Sequence, residues 1–239
     1  MTELSKYDGK HVRIKDTFGE SFTGVADHLS SEFCLHEYGE EEDGISIDDY
    51  LIFASQIAEI EEIEVHGTAE LRTKRLTLRR FRADDAFALY EAFGKDSDPW
   101  LRARFGAYTA PGAAEETVRR MSDSCDAERF YSWVMDSEDV VFGMIEAFDH
   151  KEVRIRVGIG VIETCRRRGY ATEALKTVID YLTENEGISI VIADCAADNI
   201  AAGKTFGKVG MKLARTEKHV CPADGRKYDR LTYEYRKNN

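Results

Sequence analysis

Residues 153–193 constrain the fold most, because they read as strand, loop, helix and strand in direct succession. Residues 153–161 alternate in polarity, as a half-buried strand does, and residues 188–193 form a short apolar run typical of a buried strand. Between them, residues 170–184 carry apolar side chains at helical spacing. This pattern predicts a β-sheet with a helix packed on it.

The rest of the chain from residue 71 extends the same pattern. Alternating or apolar runs predict further strands at residues 73–81, 131–135, 140–145 and 231–235, and residues 131–161 form three neighbouring antiparallel strands. Helical patterns follow a cap at residues 83–85, span residues 111–121 and occupy residues 200–209. We therefore predict an α+β domain, a mixed β-sheet flanked by helices.

The first quarter of the chain differs in charge and in periodicity. Residues 1–64 contain four Lys or Arg and seventeen Asp or Glu, a formal charge of −13, whereas the remainder carries +1. Short alternating segments separated by turn residues, one of them at residues 33–35, predict five strands. Five strands in so short a segment favour a small closed β-barrel, which leaves no long edge exposed. The predicted domains are residues 1–66 and 71–239.

Composition excludes several classes of protein. No apolar run approaches the ~20 residues that cross a bilayer, so no membrane association is expected. The opening residues lack an apolar signal core, which predicts a cytoplasmic protein. The five cysteines are scattered and odd in number, and this favours free thiols over a disulfide framework or a metal site.

The loop before the helix at residue 170 has the composition of an anion site. It contains Arg166, Arg167 and Arg168, followed by Gly169. The first N–H groups of a helix have no partner inside it, and the helix dipole places about half a positive charge there. Gly169 allows the backbone to approach a ligand closely. The alternative is a solvated basic turn.

Two motifs in this region resemble the GNAT superfamily of acyl-CoA-dependent N-acetyltransferases. Arg166-x-x-Gly169-x-Ala171 matches the Gln/Arg-x-x-Gly-x-Gly/Ala signature, whose loop cradles the pyrophosphate of CoA in that family. The second motif is matched by Asn199, Ala202, Lys208, Gly210 and Met211. The run Gly-Tyr-Ala-Thr-Glu-Ala-Leu is most similar to the branch that includes ribosomal-protein alanine N-acetyltransferases.

The resemblance implies acetyl-CoA as co-substrate, no metal, and a set of binding residues. The strand at residues 159–161 would pair its backbone with the pantetheine arm, although Gly158 and Gly160 also fit a simple bulge. Asn199 also fits an ordinary helix cap. The expected cofactor-binding residues are Ile159, Gly160, Val161, Arg166, Arg167, Arg168, Gly169, Tyr170, Ala171, Thr172, Asn199 and Phe206.

The implied reaction is direct attack of a primary amine, in a small molecule or a peptide, on acetyl-CoA. Asp194 lies where peptide-acetylating members place a glutamate base, and Glu146 is the alternative. Two positions depart from the family pattern: Phe206 stands where many members have a tyrosine acid, and Arg156 where the nearest branch often has glutamate. A non-catalytic acyl-CoA-binding regulatory or interaction protein is therefore the alternative function.

The first sixty residues resemble the Sm-like (LSm) family through Gly9, Val12, Ile14, Gly19, Gly24 and Asp27. The family's RNA-contact features are missing, and a surface of −13 repels a phosphate backbone, so nucleic-acid binding is not expected. The acidic barrel instead favours a protein partner or recruitment of a cationic amine substrate. A homo-oligomer, or an assembly built by the barrel with the rear domain secondary, is a further candidate.

Overall fold

A computed structural model describes residues 3–47, 50–93, 111–124, 130–138, 140–151, 153–220 and 227–237. The chain forms two compact units. The first, here called the acidic unit, consists of Met1–His66, Lys151–Arg154 and Leu182–Ser189. The second, called the sheet unit, consists of Gly67–His150, Ile155–Tyr181 and Ile190–Asn239.

The described part of residues 3–66 in the acidic unit forms two three-stranded antiparallel sheets and one α-helix. The first sheet has the order β2-β1-β6 and the second the order β3-β4-β5. Only Ala26 separates β2 from β3, so the chain passes directly from one sheet to the other. A single closed five-stranded barrel is not confirmed. The elements are β1 His11–Asp16, β2 Ser21–Val25, β3 Asp27–Leu29, α1 Ser31–Tyr38, β4 Gly44–Ile47, β5 Tyr50–Phe53 and β6 Ile57–Glu62.

Helix α1 corrects one prediction, because residues 33–35 are helical and not a strand. The hydroxyl of Ser30 accepts a hydrogen bond from the N–H of Phe33 at 3.3 Å, which caps the start of the helix. Gly39 ends the helix with a φ of 79°, a conformation that glycine adopts without strain. The two caps explain why a short segment without a helical apolar stripe still forms a helix.

Side chains from both small sheets share one apolar core. Val12 and Ile14 of β1 and Ile45 and Ile47 of β4 are fully buried. Their alternation along each strand places every second residue in the core, which is the pattern that the sequence showed. Burial of these side chains is the main stabilising contribution inside the acidic unit.

The sheet unit is built on an eight-stranded sheet flanked by helices, which confirms the predicted α+β class. The strand order is β13-β14-β12-β11-β10-β9-β8-β7. The strands are β7 Leu71–Arg72, β8 Thr77–Arg79, β9 Tyr131–Ser137, β10 Val140–Lys151, β11 Arg154–Val161, β12 Ile190–Ala196, β13 Lys212–Val220 and β14 Tyr228–Arg236. The helices are α2 Asp85–Phe93, α3 Pro111–Ser124, α4 Tyr170–Asn185 and α5 Ile200–Lys208.

Two strands differ from their predictions. Of the strand predicted at residues 73–81, only Thr77–Arg79 forms a strand, β8, because residues 73–76 form a turn after β7 in which the N–H of Thr73 donates to the carbonyl of Leu76 at 2.9 Å. Strand β13 was not predicted. It pairs with β14 as far as Val220 and Tyr228; residues 221–226, between the two strands, lie outside the described residues.

A buried ion cluster joins β8, β9 and α2. Arg79 donates two hydrogen bonds to the carboxylate of Asp85, at 2.8 and 2.9 Å, and one to Asp136 at 3.0 Å. The hydrogen bonds that Arg79 donates to Asp85 and to Asp136, together with the charges of these two carboxylates, raise the pKa of Arg79 above its usual value, although burial opposes this. Asp85 therefore fixes the start of α2 through a charge pair as well as through the N–H of Arg82, 2.7 Å away.

In the part of the chain that the structure describes, no helix has the length and apolarity needed to cross a bilayer.

Candidate active site

The loop between β11 and α4 has an unusual backbone. After a short 3-10 turn at Glu163–Cys165, Arg167 and Gly169 have φ values of 63° and 84°. Both φ values lie in the left-handed region, which residues other than glycine rarely occupy. The Nε atom of Arg166 donates to the carbonyl oxygen of Val161 at 2.8 Å, which fastens the loop to the end of β11. The loop is therefore held in a defined shape.

The first N–H groups of helix α4 lie directly after this loop and are free. Its first intrahelical bond runs from the N–H of Glu173 to the carbonyl of Gly169, at 3.1 Å. The N–H groups of Tyr170, Ala171 and Thr172 precede that bond and cannot be satisfied within the helix. Together with the helix dipole, they form a site suited to a phosphate group.

A cavity of about 860 Å³ opens at this helix end. Its wall is formed by residues 157–161 of β11, residues 194–196 of β12, the loop, the first turn of α4, and α5. This volume lies in the range of cavities that enclose a small molecule or cofactor. Of the predicted binding residues, those that line it are Ile159, Gly160, Val161, Arg166, Arg167, Gly169, Tyr170, Ala171, Thr172, Asn199 and Phe206.

Arg168 is the one predicted binding residue that the described cavity wall does not include. Its backbone carbonyl instead accepts a hydrogen bond from Nη1 of Arg75 at 2.9 Å. The three consecutive arginines therefore do not all line the cavity. Arg166 and Arg167 lie at the cavity, and Arg168 takes part through its backbone.

Helix α5 supplies residues that the sequence analysis did not identify. Lys204 and Thr205 line the cavity, together with Lys208, whose place in the second motif had been noted without a role. Asn199 caps α5, since its side-chain oxygen accepts from the N–H of Ala202 at 3.1 Å, and it also lines the cavity. The two lysines are four residues apart on a helix, and this spacing places them on one face.

Asp194 and Glu146, the two predicted proton acceptors, have different surroundings. One carboxylate oxygen of Asp194 accepts from Nη1 of Arg156 at 2.5 Å, and the other from the hydroxyl of Thr232 at 2.6 Å. Arg156 also donates from Nε to Asp149 at 3.0 Å. Both Asp194 and Arg156 line the cavity, whereas Glu146 is buried on β10 and does not belong to the described cavity wall.

Cys195 also lines the cavity, but the raised pKa of its thiol makes it a poor nucleophile. Burial, assisted by the negative charges of Asp194 and Asp198, raises its pKa to about 11. A thiol with this pKa is protonated at neutral pH and is a poor nucleophile. Among the described residues there is no group of three or more His, Cys, Asp or Glu side chains that could hold a metal ion.

Strands β10 and β11 approach each other closely behind the cavity. A Cβ atom added to Gly143 of β10 would lie 2.7 Å from the carbonyl oxygen of Gly160 and 2.6 Å from the sulfur of Met135. Neither distance leaves room for a Cβ atom. The close approach of β10 and β11 therefore requires glycine at position 143. Gly160 lines the cavity on the next strand.

The fold and the cavity define an α+β domain with an anion site at a strand-to-helix junction. Residues 75–212 match the family described as the acetyltransferase (GNAT) domain. Because the match covers more than half of the chain, the protein belongs to the GNAT acetyltransferase family. It is an acetyltransferase enzyme, and its family relation confirms the predicted class of reaction.

Related proteins agree with this assignment. The chain is 26% identical over 164 residues to an uncharacterized N-acetyltransferase, YnaD, of Bacillus subtilis, covering 68% of this chain and 94% of the relative. Two solved structures share the fold. Microcin C7 self-immunity acetyltransferase MccE, in complex with acetyl-CoA and AMP, has a TM-score of 0.62 at 16% identity, over 69% of this chain and 93% of that one. RimL, a ribosomal L7/L12 alpha-N-protein acetyltransferase, has a TM-score of 0.63 at 14% identity, over 70% and 98%.

Proposed function

We propose that the protein transfers the acetyl group of acetyl-CoA to a primary amine, in a small molecule or a peptide, by direct attack. The observation that carries the proposal is the cavity at the junction of β11 and α4. It combines a fixed loop, free helix N–H groups and basic side chains with a volume suited to a cofactor. The MccE structure, which has this fold, contains acetyl-CoA.

The diphosphate of CoA would bind at the N–H groups of residues 169–172, next to Arg166 and Arg167. Phosphate at a helix N-terminus is stabilised by the free N–H groups and by the helix dipole. Lys204 and Lys208 add positive charge on the α5 side of the same cavity. The pantetheine arm would then lie along residues 159–161 of β11, toward Asp194 on β12.

Asp194 is our proposed proton acceptor, because it lines the cavity and Glu146 does not. Both of its oxygens accept hydrogen bonds, from Arg156 and from Thr232. These donors fix the orientation of the carboxylate. Each carboxylate oxygen has two lone pairs, so Asp194 keeps acceptor sites for the proton of the amine, taken directly or through one water molecule.

Two measurements test the proposed function with the full chain. Calorimetry with acetyl-CoA is expected to show binding, and Gly169→Trp is expected to abolish it by filling the loop. Release of CoA thiol is then measured across a panel of primary amines and peptide N-termini. If acetyl-CoA does not bind to the wild-type protein, the proposal fails. If it binds but no amine in the panel releases thiol, the alternative of a non-catalytic acyl-CoA-binding protein is supported.

For the acidic unit we propose an Sm-like module that docks a cationic substrate or protein segment. Helix α1 leaves Phe33, Leu35 and Tyr38 exposed, at 45%, 51% and 53%. The same helix and the turn after it carry Glu32, Glu37, Glu40 and Glu41. Exposed aromatic rings next to carboxylates suit lysine or arginine side chains, which combine charge with an apolar stem.

Charge substitution in the full chain tests this docking proposal. Replacing Glu32, Glu37, Glu40 and Glu41 by glutamine removes four negative charges without touching Glu42, whose carboxylate accepts two hydrogen bonds from Ser55. The substituted protein is expected to bind a lysine-rich peptide more weakly, and with a smaller dependence on salt. Unchanged affinity and unchanged salt dependence would contradict the docking role.

A further inference from the structure

Arg75 lies in the tight turn between β7 and β8, where its side chain is directed by the local backbone. The hydroxyl oxygen of Thr73 accepts hydrogen bonds from the N–H of Arg75 at 3.2 Å and from the N–H of Leu76 at 2.9 Å. The N–H of Thr73 donates to the carbonyl of Leu76. These hydrogen bonds hold the turn in one conformation, and they fix the backbone from which the Arg75 side chain extends.

The guanidinium group of Arg75 contacts the loop and α4 in three ways. Nη1 donates to the carbonyl of Arg168 at 2.9 Å. Nε and Nη2 lie 2.7 and 2.5 Å from one carboxylate oxygen of Glu173, in the first turn of α4. The guanidinium carbon stacks over the ring of Tyr170, 4.6 Å from its centre. A planar group with fixed donors can make all three contacts at once, which an ammonium group cannot.

The carboxylate of Glu173 is fully engaged by this turn. Its other oxygen accepts from the hydroxyl of Thr73 at 2.6 Å. Burial acts to raise the pKa of Glu173, but the hydrogen bonds from Thr73 and Arg75 and the charge of Arg75 outweigh burial and lower it. Glu173 is consequently ionised at neutral pH, so the pair with Arg75 is a full charge pair.

The loop needs such support because its conformation is unfavourable. Arg167 has a φ of 63°, and the left-handed region is unfavourable for a residue other than glycine. The carbonyl that Arg75 holds belongs to the next residue, Arg168. Arg75 therefore contacts the loop directly beside its strained residue, Arg167.

We propose that Arg75 is a positioning residue, which holds residues 166–169 and the start of α4 in the shape that binds the diphosphate of CoA. Arg75 is not part of the cavity wall that the structure describes, so it acts through the loop and not by touching the ligand. The inference rests on the proposed binding of acetyl-CoA, and it adds a residue that neither motif contains.

The test compares three variants of the full chain. Arg75→Met keeps the apolar stem and removes the donors, and Arg75→Lys keeps the charge without the planar fork. Arg72→Met is the matched control, because Arg72 lies on the neighbouring strand, is 74% exposed in its side chain and pairs only with Glu70 among the contacts described. For each variant, the dissociation constant of CoA is measured by calorimetry, and amide hydrogen exchange is measured without ligand.

Arg75→Met is expected to weaken CoA binding at least tenfold and to speed exchange selectively at residues 166–172. Arg75→Lys is expected to weaken binding less than Arg75→Met but more than threefold, and Arg72→Met less than twofold. Equal affinity in wild type and in both Arg75 variants overturns the inference and leaves the proposed function intact. Faster exchange throughout the sheet unit, without selectivity for the loop, also overturns it. Absence of CoA binding to the wild-type protein overturns both proposals.

Discussion

The backbone of Gly169 has a φ of 84°, and the energy of that conformation allows a quantitative prediction. An alanine there would be in the left-handed region, which costs about 1–2 kcal/mol for an L-amino acid. The added Cβ would lie 3.4 Å from Nη2 of Arg75, which is an ordinary van der Waals distance. Steric repulsion is therefore small, and backbone strain accounts for most of the expected effect of Gly169→Ala.

The strain can appear in two measurable quantities. If the loop holds this shape before CoA binds, the free energy of unfolding falls by about 1–2 kcal/mol. If the loop takes this shape only on binding, the dissociation constant of CoA rises by about 5–30-fold, which is the same energy. Urea denaturation and calorimetry measure the two losses, and their sum is expected to be about 1–2 kcal/mol.

Gly112→Ala is the control for this prediction. Gly112 lies in α3, its φ is not positive, and a Cβ there meets no atom within 4 Å. Alanine at this position is expected to leave CoA affinity unchanged and to stabilise the helix by up to about 1 kcal/mol. If the two losses for Gly169→Ala add up to less than about 0.5 kcal/mol, the assignment of strain to this loop is refuted.

Three further substitutions probe the site and its support. Asp194→Asn is expected to lower kcat by roughly 10²–10⁴-fold, with CoA affinity within about threefold, because it removes the proton acceptor. Asp85→Ala leaves the buried guanidinium of Arg79 with one carboxylate partner and is expected to destabilise the fold by about 3–5 kcal/mol, measured by urea denaturation. Glu173→Gln removes a carboxylate whose pKa in the folded protein lies below its usual value. Its stabilising effect is present above about pH 4.5 and is lost as the pH falls through the lowered pKa, so the difference in Tm between wild type and variant should shrink in acid.

Neighbouring acidic residues provide the controls. Asp198→Asn changes an exposed carboxylate four residues from Asp194 and is expected to leave kcat within about twofold. Asp84→Ala, on the exposed residue next to Asp85, is expected to change stability by less than about 0.5 kcal/mol. Full activity of Asp194→Asn would mean that another group is the proton acceptor. A Tm difference for Glu173→Gln that does not vary with pH would contradict the charge pair with Arg75.

The fold was predictable where periodicity is long and uninterrupted. Strand β11, helix α4 and strand β12 follow their predicted ranges within a few residues, because alternation and helical spacing are unbroken there. Strand β13 was missed, since Lys212–Val220 is largely polar and owes its conformation to pairing with β14. Helix α1 was missed for the opposite reason: two caps stabilise a segment whose apolar residues resemble a strand.

The candidate site shows the same limit in its chemistry. Gly169 and the start of α4 were identifiable from a loop motif, because a short backbone segment builds the anion site by itself. Arg75 lies more than ninety residues before the loop that it holds, and no local pattern connects the two. Likewise, the hydrogen bonds of Asp194 with Arg156 and Thr232 depend on register across the sheet, which one sequence does not reveal.

Gly143, inside the sheet, affects the position of the cavity wall on the neighbouring strand. Since β10 has no room for even a methyl group against the carbonyl of Gly160, any larger residue must displace β11. That displacement would move the cavity wall at Gly160 without replacing any residue that lines the cavity. The position of this wall is therefore set in part by a buried residue that does not line the cavity itself.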